Sequence, residues 1–220
     1  MVFKRRDRRG VIRYVSELLW PRGGWKRAAM YVSHRLNRLP DPPHRIARGI
    51  FAGVFVTFTP FYGLHFFMAA GLALIMRGNV LASLLATFFG NPLTYVPIGV
   101  VALKTGHWLL GNPAPSGDEV ERKLGQMFLD AGLDLRANIA ARFTGEAPNW
   151  DRLHVFYDQV FFPYMIGGLI PGIITALIFY YISVPVISAY QNRRKGMLKA
   201  KLAALKKKAQ LVRDEDQRGR

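Results

Sequence analysis

His65 is the one acidic or basic side chain that stands well inside a long uncharged stretch of this chain. An ionisable group so placed faces a cavity or pairs with another polar group. An imidazole changes charge near physiological pH, so it can relay a proton or contact an anion. Equally, a neutral ring can donate one hydrogen bond within the fold. Asn91 and Thr94 flank Pro92 in a second uncharged stretch. Proline removes a backbone donor and clashes with the preceding turn, and Asn and Thr side chains can satisfy the carbonyls it frees. In the other reading, the amides opening the segment 94–103 turn the positive end of a half-helix toward an anion. Thr57, Thr59, Tyr62 and Asn79 add polar groups near the same interruptions. The candidate ligand site is therefore Pro60, His65, Asn79, Asn91, Pro92 and Thr94. Such a set would bind or pass a small solute, an ion or a lipid headgroup.

Motifs for bond-making chemistry are missing. The sequence has no pair of His at metal-ligand spacing, no Gly-x-Ser-x-Gly, no phosphate-binding loop and no dinucleotide fingerprint. Asp151 and Asp158 could be imagined as acid and base, but a solvated loop explains them better. The absence of cysteine excludes disulfides, thiol catalysis and thiolate metal sites. We expect no enzyme, no metal and no cofactor.

The elements that must position these residues are apolar runs at 49–76, 80–103 and 160–190. A helix needs about 20 apolar residues to span a bilayer, and only hydrocarbon makes such length useful. The first run is interrupted at Thr59-Pro60-Phe61-Tyr62-Gly63 and the second at Gly90-Asn91-Pro92. Transporters build binding sites from paired breaks of this kind. The third run carries Pro163, Pro171 and Pro185. Gly49 with Gly53, and Gly168 with Gly172, have the spacing of small-residue helix contacts. The expected fold is an all-α membrane protein, a small helical bundle with proline-broken or re-entrant segments and basic amphipathic helices at both ends.

Charge divides the chain into 1–48, a membrane domain 49–190 and a basic tail 191–220. Residues 1–48 hold 13 basic and 3 acidic side chains, and 191–220 hold 11 and 3. The segment 105–159 holds 5 basic and 8 acidic ones, so it reads as an extramembrane helical loop, with a helix over 118–143 after a linker at 112–117. A net charge of +17 could suggest nucleic acid. The basic residues instead flank apolar runs, as juxtamembrane segments do on the cytoplasmic side against anionic headgroups. Short amphipathic helices are expected at 11–19 and along the face Trp25, Ala29, Val32, Leu36 and Leu39. No cleaved signal is expected. Both ends should be cytoplasmic in a multi-pass inner-membrane protein. Three simple crossings cannot satisfy that, but a first run that enters and leaves by one face can.

Arg45-Ile46-Ala47-Arg48-Gly49-Ile50-Phe51-Ala52-Gly53, Pro60-Phe61-Tyr62-Gly63-Leu64-His65, Arg77-Gly78-Asn79 and Thr87-Phe88-Phe89-Gly90-Asn91-Pro92-Leu93-Thr94 together resemble the bacterial DUF2062 family. Pro163-x-x-Ile166-Gly167-Gly168 is similar to it as well, and Pro21-Arg22-Gly23-Gly24-Trp25-Lys26-Arg27-Ala28 resembles the alphaproteobacterial version. The likeness covers about 20–190. It implies a helical integral membrane protein and carries over neither an established activity nor catalytic residues. Two readings stand: a binding or transport protein that forms a homo-oligomer, or an accessory or scaffold subunit of a larger membrane complex.

Overall fold

The computed structural model describes residues 24–111, 119–144 and 149–218, and these contain helices and no strand. The helix expected at 11–19 and the linker at 112–117 lie outside the described residues. Helix α1 is Gly24–Asn37, α2 is Pro43–Val56, α3 is His65–Ile75, α4 is Val80–Ala86 and α5 is Pro92–Leu109. A 3-10 turn, Thr87–Phe89, joins α4 to α5. Helix α6 is Glu119–Thr144, α7 is Asp151–Phe156 and α8 is Phe162–Arg218, the last two joined by a π-helical turn, Tyr157–Phe161.

Helix α2 is the centre of the fold. Pro43 opens it at a position where the missing N–H costs nothing. Ile46, Ala47, Ile50, Ala52, Val54 and Val56 are all buried, so α2 is enclosed on most sides by α3, α4 and α8. Gly49 and Gly53 set the distance to α4. A Cβ on Gly53 would lie 2.2 Å from the Ser83 carbonyl oxygen and 2.7 Å from the Ala86 Cβ. Gly49 meets Asn79 and Ala82 in the same way, so α4 runs parallel to α2.

Helix α3 folds back between them, and the first run therefore ends beside its own beginning. Asn79 N–H donates to the Arg45 carbonyl at 2.9 Å. Asn79 caps α4 by accepting from Ala82 N–H at 2.6 Å, and its amide reaches the Asp41 carboxylate. Asp41 also pairs with Arg45 at 3.1 Å, and Gln191 on α8 donates to the Asp41 carbonyl at 2.9 Å. Arg77 turns the corner with φ of 51°, a left-handed conformation unusual for a residue with a side chain. Gly78 N–H then reaches back to the Ala73 carbonyl at 2.7 Å, as in a glycine-terminated helix.

Helix α8 runs antiparallel to both α2 and α5. Gly106 abuts Pro163, Gly167 abuts Ala102 and Gly106, and Gly168 abuts Phe58. Pro171 and Pro185 lie within this continuous helix, which passes Gln191 and continues to Arg218. The tail is thus one helix with the third run. Helix α6 lays Met127 over the end of α5 and α8, against Ala102, Leu103, Val160 and Tyr164.

The interior combines branched apolar side chains such as Ile46, Val54 and Val56 with small and hydroxyl-bearing residues: Ala52, Ala69, Ala73, Ala82, Thr57 and Ser83. Large apolar side chains point outward, with Phe67 76%, Ile75 81% and Trp108 74% exposed. One helical stretch, Asp151–Lys206, is long and apolar enough to cross a membrane, with a mean hydropathy of 2.0 and 17% of its apolar window buried. Val80–Phe89 and Pro92–Leu109 pass the same test together, bent by 83°.

Two glycines test this packing. Gly71 has nothing within 4 Å of an added Cβ, so Gly71→Ala should stabilise the fold by about 0.5–1 kcal/mol. Gly53→Ala forces α2 and α4 apart and should cost about 1–3 kcal/mol or more. Thermal unfolding of the two variants side by side checks this. Arg77→Gly relieves the left-handed strain and should raise stability by roughly 1 kcal/mol in the same assay.

Candidate functional site at the paired helix breaks

The two interruptions meet in space. A Cβ on Gly90, in the second break, would lie 2.6 Å from Tyr95 Oη and 2.9 Å from Thr57 Cγ2, in the first. Phe58 and Phe89 stack across the same junction with ring centroids 6.1 Å apart. At the end of α2, the Thr57 and Thr59 hydroxyls donate to the Val54 and Val56 carbonyls, each at 2.7 Å. Pro60, which has no N–H to offer, follows and is buried.

His65 opens α3 and is buried. Its Nε2 lies 3.1 Å from the Thr59 carbonyl and its Nδ1 lies 3.0 Å from Tyr95 Oη. A carbonyl can only accept, so Nε2 carries a proton. In a neutral ring Nδ1 then accepts from the Tyr95 hydroxyl. Tyr62 stands edge-on to Tyr95 at 5.2 Å, and its hydroxyl is 2.9 Å from that of the buried Tyr164 on α8. The result is a polar cluster of Thr59, Tyr62, His65, Tyr95 and Tyr164, with Tyr62 at its exposed side.

Asn91, Pro92 and Thr94 start α5 beside this cluster. Asn91 Oδ1 accepts from Leu93 N–H at 3.0 Å and Thr94 N–H at 3.2 Å. Thr94 Oγ1 accepts from Asn91 N–H at 2.9 Å, which completes a reciprocal cap. The Asn91 amide donates to the Phe89 carbonyl at 3.2 Å, and the Thr94 hydroxyl reaches the same oxygen. Amides left open for an anion are not found here, because the cap engages them first.

Five of the six candidate residues, Pro60, His65, Asn91, Pro92 and Thr94, gather at the junction of the breaks. Asn79 does not join them. It sits at the other end of α2, with Asp41 and Arg45, because α3 returns the chain to its starting level. Tyr95 and Tyr164 belong to the cluster and were missed by sequence reasoning. Their signal was a hydroxyl within an apolar run, four residues after Asn91 and one after Pro163. Lys104 is exposed, whereas His107 is buried at the far end of α5, with neither ring nitrogen hydrogen-bonded among the described residues.

A pocket of about 200 Å³ opens at the junction, lined by Gly63, His65, Phe66, Thr87, Phe88, Gly90 and Tyr95. No acidic residue lines it, and His65 is its only basic one. It offers a hydroxyl and an imidazole edge for hydrogen bonding, without a nucleophile and base in contact. Among the described residues no cluster of His, Asp and Glu could hold a metal.

A model of the family described as "Uncharacterized protein conserved in bacteria (DUF2062)" matches residues 26–196. The chain belongs to this family. No curated protein and no solved structure matches it. Within the DUF2062 match lie α1 from Lys26 onward, α2 to α7, both breaks, the pocket and α8 as far as Gly196. The helical end of α8 beyond Gly196 lies outside it.

The cap makes a sharp prediction. Asn91→Ala removes two accepted bonds and should destabilise the fold by about 1–2 kcal/mol, while Asn91→Asp keeps the acceptor and should cost less. Chemical or thermal unfolding in detergent separates the two.

Proposed function

We propose that the chain is an integral protein of the bacterial inner membrane that binds, and in one version passes, a small polar solute, an ion or a lipid headgroup at the paired breaks. The observation that carries this reading is the pocket walled by His65, Thr87 and Tyr95 where the breaks touch. At about 200 Å³ it is smaller than the 300–1,000 Å³ of drug-sized sites. That volume suits a ligand of few atoms or the head of a larger one.

Three features support membrane integration. Many large apolar side chains face outward, and alanines and hydroxyls share the interior with branched apolar residues, an arrangement lipid tolerates. The Thr59 and Phe89 carbonyls at the breaks find partners within the chain, as hydrocarbon demands. Basic residues crowd both ends of the chain. In this topology the first run is a re-entrant hairpin, the bent second run crosses outward and α8 crosses back, leaving both ends cytoplasmic. The return of Asn79 to Arg45 supports the hairpin.

The chain has no cysteine, so single thiols report cleanly. Arg77→Cys and Arg193→Cys should resist an impermeant thiol reagent in intact spheroplasts, while Leu129→Cys on α6 should react. Labelling of Arg77→Cys from outside would break the hairpin model.

Native mass spectrometry of protein released gently from its own membrane tests the site. We expect a bound small molecule or lipid that is lost from His65→Asn and Tyr95→Phe, with oligomeric state unchanged. A competing reading, an accessory subunit, is favoured by the continuation of α8 to Arg218, well past the bundle. Co-release with a stoichiometric partner, unaffected by either substitution, would select it.

A further inference from the structure

Beyond Gln191, which is tied to Asp41 at the charged end of the bundle, α8 stays helical and its residues 192–206 are all exposed. On this free stretch Leu198, Leu202 and Leu205 are 52%, 57% and 64% exposed. Their spacing of four and then three residues is the d, a, d seam of a coiled coil. In that register the flanking positions are Lys199 after Leu198, Lys201 before Leu202 and Lys206 after Leu205, all exposed. These are the e and g sites that choose a partner.

Lysine at each of them opposes a second copy of the same helix. In parallel pairing, g faces e of the partner, and in antiparallel pairing like faces like. Either way lysine meets lysine. The opposite signs fit an acidic helix. Reach argues against lipid, a step that rests on the membrane reading above. A straight helix rises about 1.5 Å per residue, so the leucines stand roughly 10–21 Å beyond Gln191 along the axis. At that distance they face water, where exposed leucines invite a partner.

We propose that the end of α8 is a docking helix for an acidic amphipathic helix of another protein, with apolar residues seated on Leu198, Leu202 and Leu205 and Glu or Asp opposite the three lysines. Contact would switch on little by charge alone, because surface pairs are weak. The leucine seam supplies affinity, and the lysines supply selection and salt dependence.

The test uses the full chain in nanodiscs of zwitterionic lipid. The probe is a labelled synthetic helix of about three heptads with Leu at a and d and Glu at e and g. A matching helix with Lys at e and g is the control. We expect the Glu helix to bind, the Lys helix not to, salt to weaken binding, and Leu202→Ser to weaken it about tenfold or more. A nitroxide on Ala204→Cys should stay in water whether or not anionic lipid is added.

Equal binding of both helices, or of neither, overturns the proposal. So does a nitroxide that becomes oxygen-accessible with anionic lipid, which would mean that α8 bends at Gly196 and lies on the membrane. Dipolar broadening between labels without any probe would assign the seam to a second copy and overturn it as well. A chain that fails to enter nanodiscs speaks against the membrane reading alone, since the probe titration can then be run in plain buffer.

Discussion

The rest of this structure depends on satisfying the backbone polar groups that two broken helices leave open. A buried carbonyl or amide without a partner costs about 1–3 kcal/mol, and several arise wherever a helix stops inside an apolar body. Here side chains near the breaks supply partners. Thr57, Thr59, Ser83 and Thr87 bond back to carbonyls three residues earlier. His65 closes the Thr59 carbonyl, and Asn91 with Thr94 closes the ends on both sides of Pro92. These bonds let the breaks be rigid corners.

Rigid corners matter only if they can meet, and the glycines allow that. With Gly53 against Ser83 and Gly106 against Pro163, helix backbones approach to a distance no side chain would permit. Close approach brings Gly90 onto Thr57 and leaves the pocket beside it. The same contacts push bulk outward. Phe67, Ile75 and Trp108 lie on the outer surface.

Structure and candidate function use the same groups at the junction. His65 both supports the first break and walls the pocket, and Asn91 is already spent on its helix. A ligand would therefore exchange hydrogen bonds with Tyr95 or His65, and the capping residues would stay where they are. That division of labour separates Asn91, whose loss weakens the fold, from Tyr95, whose hydroxyl can be removed with the ring left in place.

Much of this was legible from residue order alone. Pro60 and Gly90-Asn91-Pro92 marked both corners, because proline and glycine act locally. The helix over 118–143 and the face of Trp25, Val32 and Leu36 followed from periodicity, and α6 and α1 carry them. Asn79 was placed with the wrong companions, since its position depends on where α3 turns. Tyr95 and Tyr164 gave only a hydroxyl among apolar neighbours, and nothing local says that residues 69 positions apart share a cluster. Sequence by itself determined where helices break, because backbone chemistry at proline, glycine and asparagine is short-ranged. Tertiary structure alone decided which broken ends meet, because that choice rests on close contacts between glycines far apart in the chain.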